Sequence, residues 1–227
     1  MATKKTPRRT AERILESSLA LFNRFGEPGV STNAISADLK ISPGNLYYHF
    51  PAKDDLVNAL FAQYEQALEP VLDAAPAVAH VEDAWFFLHS LFEVNWQYRF
   101  VFRNLNELLS RNRLLEARVL KMVEDTTQQM KLLLQSMERN GALLATPLGW
   151  ASVATNMVVV LIYWLSYEYV LNPRQALEEE NAQNAALRSG AQVLGLLAPY
   201  AVDAQQTHLR RLIETYTASP AVRAAAA

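Results

Sequence analysis

The residues best suited to chemistry sit together in residues 31–53, which read Ser-Thr-Asn-Ala-Ile-Ser-Ala-Asp-Leu-Lys-Ile-Ser-Pro-Gly-Asn-Leu-Tyr-Tyr-His-Phe-Pro-Ala-Lys. Hydroxyls, amides, an imidazole and an amine lie within a few residues of two helix starts. That is equipment for hydrogen bonding and phosphate binding, not for breaking bonds. Ser31 or Thr32 can cap a first short helix; Ser42 can cap a second, whose first position, Pro43, needs no amide partner. Ile35 with Leu39, and Leu46 with Phe50, stand four apart, which predicts one inward face per helix, with Ile41 sealing the turn. Pro43, Gly44, Asn45, Tyr47, Tyr48 and His49 are left to face outward. Helix N-terminal amides attract phosphate, and Gly44 allows close backbone approach. Helices this short do not stand alone in water. Two of them back to back with polar tips predict a helix-turn-helix that reads DNA.

Nothing comparable supports catalysis. His49, His80, His89 and His208 are scattered, without metal-ligand spacing. No Gly-rich phosphate loop or Gly-x-Ser-x-Gly elbow occurs, and Glu178-Glu179-Glu180 reads as a solvated helix start. The chain has no cysteine, so disulfides and thiol chemistry are excluded. We expect no catalytic residue, no metal and no cofactor. Lys4, Lys5, Arg8 and Arg9 are not followed by an unbroken apolar run, so no secretory signal is expected and the location reads as cytoplasmic.

The helix-turn-helix needs elements that hold it, and the rest of the chain reads as helices without a convincing strand. With 227 residues, 51% hydrophobic and only 7 glycines, an all-α protein with a small head and a larger body is expected. Residues 1–9 read as a basic flexible arm. A helix over 10–25 carries the stripe Ile14, Leu15, Leu19, Phe22 and Phe25, and Glu27-Pro28-Gly29 is a turn. The short helices fall at 32–39 and 43–49. A fourth starts near Ala52, places Asp54 and Asp55 where the dipole favours acids, and buries Leu56, Leu60, Tyr64 and Leu68 until Pro70 kinks or ends it. After a linker at 73–80, helices follow near 81–98, 100–110 and 112–140, the last closed by Asn140-Gly141. Pro147 opens a helix reaching about Leu171, another covers about 178–198, and Asp203 caps a last one ending near Tyr216. The domains so read are a helix-turn-helix head at 10–51, a helical effector-binding and dimerisation body at 52–217, and a flexible tail at 218–227.

The net charge of −2 divides unevenly. Residues 1–53 hold eight Lys or Arg against four Asp or Glu, and residues 54–227 hold thirteen against nineteen. A basic head on an acidic body suits DNA binding, although many proteins have one basic end. From Asn140 to Tyr167 there is no charge at all, long enough for a membrane span. Ser152, Thr155, Asn156, Ser166 and Glu168, with no basic cluster on one flank, favour a helix buried in a bundle instead.

Residues 85–104 concentrate aromatics. Trp85, His89, Phe92 and Trp96 fall near one helical face, with Phe102 following. By spacing this is core packing or an apolar pocket with a few polar groups. The candidate pocket residues are Trp85, His89, Phe92, Asn95, Trp96, Phe102, Asn156 and Trp164, suited to a hydrophobic ligand.

Leu46-Tyr47-Tyr48-His49-Phe50 followed by Lys53, with Arg13-Ile14-Leu15 and Leu21-Phe22-Asn23-Arg24-Phe25-Gly26 upstream, resembles the DNA-binding motif of the TetR family of bacterial transcriptional regulators. One departure is Lys40, where the family often has Gly; a left-handed turn there would cost Lys roughly 1 kcal/mol. The segments 88–105 and 156–167 resemble a subgroup that includes regulators of polyhydroxyalkanoate metabolism. The resemblance implies a repressor released from operator DNA by a small effector. It also implies a homodimer through the last two long helices, about 147–171 and 178–198, with Ala151, Ala154, Gly190, Ala191 and Gly195 allowing close approach. Thr32, Asn33, Ser42, Pro43, Gly44, Asn45, Tyr47, Tyr48, His49 and Lys53 are the expected DNA-binding set. Arg8 and Arg9 are expected near the adjacent minor groove. The alternative keeps a DNA-binding dimer that is regulated by a protein partner or acts without ligand.

Overall fold

The computed structural model describes residues 7–176 and 178–217, with only the backbone of residues 7, 8, 179, 183, 216 and 217. The outer part of the basic arm and the tail at 218–227 lie outside the described residues, as does the Arg8 side chain. The fold is all-α: α1 (Pro7–Phe25), α2 (Thr32–Leu39), α3 (Pro43–His49), α4 (Lys53–Asp73), α5 (Val81–Gln97), α6 (Arg99–Arg103), α7 (Leu105–Arg111), α8 (Arg113–Arg139), α9 (Ala151–Leu171), α10 (Ala182–Gly195) and α11 (Asp203–Thr217). Short 3-10 turns occupy Ala75–Ala77 and Glu179–Asn181. Among the described residues the only β pairing is an isolated bridge, Leu143 with Ala201.

Local chemistry explains most termini. Gly26, at φ +80°, ends α1. Asp55 reaches back to the Ala52 amide (2.8 Å) at the start of α4, and Asp83 does the same to His80 (2.9 Å) at the start of α5. Each is the acid half of a capping box. Asn112 caps α8 by accepting from the Leu115 amide, 3.0 Å away. At the end of α8, Ala142 donates to the Met137 carbonyl and Gly141 takes φ +71°, as Asn140-Gly141 led us to expect.

Several boundaries differ from the sequence reading. Helix α1 begins at Pro7 instead of residue 10, and Phe25 of its apolar stripe is half-exposed under Arg24. Pro70 lies inside α4 on the exposed side, and the helix runs on to Asp73 with Leu68 and Leu72 buried on either side of it. The segment 100–110 is two helices, broken at Asn104. Pro147 does not open α9: Gly149 at φ +68° turns the chain first, and the helix starts at Ala151. Helix α10 is shorter than 178–198 because a 3-10 turn precedes it.

The described chain forms two compact units. One gathers residues up to Glu65 with Tyr98–Arg118; the other holds Gln66–Gln97 and residues from Val119 onward. The first unit is cored by Ile14, Phe22, Ile35, Leu46, Leu56, Leu60, Phe61 and Phe100, all without solvent contact. Phe22 meets Phe100 at 5.3 Å between ring centroids, and Tyr64 lies edge-on to both Tyr98 and Phe102. Asn23 accepts from the Phe100 amide (3.1 Å), which ties α1 to α6. Arg118 grips Glu65 and the Asn58 carbonyl, tying α8 to α4.

In the second unit α5 packs on α10 with Trp85 over Gly190. Helix α9 is long and apolar enough to cross a membrane by length and composition. Nine of its residues, Val153 to Glu168, are nevertheless buried. One of them is Glu168, which Arg188 of α10 grips through two bonds of 2.7 Å. Trp164 Nε1 donates to the Ala185 carbonyl, adding a second α9–α10 brace.

Candidate nucleic-acid interface

The two short helices form where expected, and each has a serine at its start. Ser31 accepts from the Ala34 amide (3.1 Å) and Ser42 from the Asn45 amide (3.2 Å), with Pro43 at the first helical position. Of the two possible first caps, Ser31 is the one used. Between the helices Lys40 takes φ 54°, ψ 45°, the left-handed conformation suspected for that turn. It is the one non-glycine with positive φ among the described residues. Its amide bonds the Ala37 carbonyl and that of Ile41 bonds Ser36, so the left-handed residue closes α2 while redirecting the chain into α3.

Burial then sorts the side chains. Ile35 and Leu46 are fully buried, while Ser42, Pro43, Gly44 and Asn45 are exposed in one run, and Asn33 is exposed near the start of α2. Tyr48 is 78% exposed and lies edge-on to half-buried His49. Tyr47 is 45% exposed, and its hydroxyl shares a 2.9 Å hydrogen bond with Thr32. Thr32, Tyr47 and Lys53 line an open groove of about 510 Å³ whose far wall is the Pro28–Ser31 loop. Thr32 and Asn33 thus open α2, Ser42–Asn45 lie at the turn and the start of α3, Tyr47–His49 form the end of α3, and Lys53 begins α4. The arrangement offers hydroxyls, an amide, a ring N–H and a cation around helix starts capped by Ser31, Ser42 and Asp55.

Lys53 has a partner that sequence reasoning missed. Its Nζ donates to the Glu27 carbonyl at 2.6 Å and lies 3.0 Å from Glu27 Oε1. It also sits 5.7 Å above the Phe22 ring. Glu27 is fully buried, and its other oxygen is held by Arg111 from the end of α7. The Oε1 contact is an ion pair without hydrogen-bond geometry. Glu27 had been read only as part of a Glu-Pro-Gly turn. An acid just after a basic helix was the available signal, but neither cation is close to it in sequence.

The aromatic residues of α5 lie in the second unit. Trp85, Phe92, Asn95 and Trp96 are buried, and Trp85 stacks on His89 at 5.8 Å. His89 pairs Nε2 with Glu93 at 3.4 Å, and its Nδ1 is buried without a hydrogen-bond partner. Trp164 is buried as the α9–α10 brace already described. Asn156 lies instead on the exposed side of α9, and Phe102 packs on Tyr64 in the first unit. Among the described residues no group of three His, Asp or Glu is placed to hold a metal.

Comparison with known proteins identifies this architecture. A family model described as TetR, bacterial transcriptional repressor, matches residues 63–209, and one for bacterial regulatory proteins of the tetR family matches residues 14–60. The chain belongs to the TetR family. A crystal structure of a TetR-family transcriptional regulator from Marinobacter aquaeolei VT8 aligns with a TM-score of 0.81 at 30% identity, over 91% of this chain and 98% of that one. The HTH-type transcriptional regulator UidR of Escherichia coli (strain K12) is 38% identical over 66 residues, 29% of this chain. This chain spans about a third, 33%, of UidR. Nucleoid occlusion factor SlmA of Glaesserella parasuis is 30% identical over 136 residues, 58% of this chain and 68% of SlmA. The tetR-family match over residues 14–60 takes in α2 and α3.

Proposed function

We propose that this TetR-family protein is a homodimeric repressor. It holds a near-palindromic operator with two copies of α3 in successive major grooves, about 34–36 Å apart or a multiple of that. A small hydrophobic effector releases it. The observation that carries the reading is the α2–α3 tip, a continuous exposed polar run over a fully buried Ile35 and Leu46. In this reading Thr32, Ser42, Tyr47, His49 and Lys53 meet phosphates. Pro43, Gly44, Asn45 and Tyr48, with Asn33 beside them, meet base edges and thymine methyls.

The dimer is supported by a stripe on α9. Val159, Tyr163, Tyr167 and Val170 recur every three or four residues and are all exposed. Of the small residues assigned to that interface, Gly190 already serves within the chain, where it admits Trp85. The effector is supported by the buried aromatics of α5 and by the likeness to the polyhydroxyalkanoate subgroup. Effector binding changes the separation of the two heads, and DNA affinity falls because both cannot engage at once. The protein acts in the cytoplasm, outside the membrane, without a cofactor and without catalysing a reaction.

A second reading has a specific observation behind it, because SlmA is named for nucleoid occlusion. In that reading the protein is a DNA-binding dimer that answers to a protein partner or works without ligand. Footprinting on DNA flanking the protein's own gene, with and without cell extract, separates the two. Protection of a near-palindrome that the small-molecule fraction abolishes supports the repressor. Protection that only the protein fraction alters, or that nothing alters, favours the second. No DNA affinity at low salt refutes both.

A further inference from the structure

We propose that Arg111 is a positioning residue for DNA binding: by sharing the buried carboxylate of Glu27, it leaves the Lys53 ammonium available to a phosphate. The inference rests on the reading of Lys53 as a phosphate contact. Glu27 is fully buried, so its charge is answered by cations instead of water. Two cations converge on it from different elements, Lys53 from the start of α4 and Arg111 from the end of α7. One carboxylate against two cations leaves one positive charge over. Lys53 is the member that lines the groove beside Thr32 and Tyr47, with its side chain 25% exposed. An ammonium has three donors. One goes to the Glu27 carbonyl, and the Oε1 contact lacks hydrogen-bond geometry, so a donor remains for a phosphate.

Removing Arg111 gives the whole carboxylate charge to Lys53. The ammonium is then drawn into a neutral pair, and the groove loses its surplus charge. The position of α7 therefore sets the charge that the start of α4 presents.

The test is binding of the full-length chain to double-stranded genomic DNA fragments, followed from about 50 to 200 mM salt. Each phosphate contact adds about 0.9 to the slope of log K against log salt, about eightfold in affinity between 1 M and 0.1 M salt. Arg111→Ala is expected to flatten the slope by up to about 0.9 and to weaken binding up to about eightfold at 0.1 M for each head engaged. Arg111→Lys should restore it. Glu27→Gln removes the competitor, so its slope should be steeper than wild type, and adding Arg111→Ala to it should change nothing further. A purely structural role lowers the active fraction without moving the slope. A wild-type slope in Arg111→Ala, or the same loss in the Glu27→Gln background, overturns the inference. If Arg111→Ala does not fold, Glu27→Gln decides alone, and a slope no steeper than wild type counts against it. Lys53→Ala runs alongside. An unchanged slope there removes the phosphate reading and the inference together, whereas a flattened one with Arg111→Ala unaffected removes the inference only.

Discussion

Gly190→Ala sets two physical effects against each other. A Cβ at Gly190 would lie 2.6 Å from Trp85 Cζ3, 3.2 Å from Cη2 and 3.3 Å from Cε3. Ordinary carbon contacts are about 3.5–4.0 Å, so three ring carbons must retreat, the nearest by about 1 Å. Trp85 is only 6% exposed, which leaves it little room. Helix propensity alone favours Ala over Gly by about 0.8–1.0 kcal/mol. Overpacking costs about 1–3 kcal/mol, and a ring overlapped at three atoms belongs near the top of that range. The net expectation is a loss of about 1–2 kcal/mol, or a Tm lower by about 2–8 °C for a chain of this size. Thermal unfolding of wild type, Gly190→Ala, Trp85→Phe and the double variant measures it. The smaller ring should relieve the clash, so the double variant should show a favourable coupling of about 1 kcal/mol or more. A Gly190→Ala protein as stable as wild type, or strictly additive effects, would refute the α5–α10 packing described here.

Lys40→Gly should stabilise. The left-handed backbone costs a residue with a Cβ about 1–2 kcal/mol, and the freer unfolded chain of Gly returns about 0.4–1, leaving a gain of about 0.5–1 kcal/mol; an unchanged or lower Tm would contradict the turn. Glu168→Gln keeps the shape but loses the charge that Arg188 holds, and should cost about 1.5–3 kcal/mol in denaturant titration. A change under 0.5 kcal/mol would show that the pair contributes nothing net, as some buried pairs do. Burial pushes the Tyr64 hydroxyl well above its ordinary value, with the Glu65 charge adding to it, and burial raises Tyr98 as well. The folded chain then keeps protons that the unfolded chain loses, so the stability these residues supply is complete below about pH 10 and declines as pH rises past it. Tyr64→Phe should flatten the alkaline fall in Tm, and an equally steep fall in that variant would exclude the assignment.

What could be read in advance was whatever depends on near neighbours. The caps Ser31 and Ser42, the Pro43 start and the inward Ile35 and Leu46 follow from spacings of three and four residues, and α2 and α3 lie at their expected bounds. The left-handed turn at Lys40 was legible for the same reason. Features set by distant partners were not. Nothing near Lys53 marks it as bound to Glu27, 26 residues earlier, or marks Glu27 as held by Arg111, 84 residues later. Gly190 looked like a place for a second subunit because a glycine advertises close approach without naming what approaches. Pro147 misled because proline at a helix start and proline in a preceding turn look alike until Gly149 is seen at positive φ.

The first unit takes in Tyr98–Arg118 as well as the chain up to Glu65, which bears on how such a protein can be cut and rejoined. A fragment ending after α4 would leave Phe22 without Phe100, Asn23 without the Phe100 amide, and the buried Glu27 without Arg111. The unit that carries α2 and α3 is therefore no detachable cassette. A hybrid regulator built on it must carry two pieces of this chain, or a recipient whose own segment can take the place of α6 and α7.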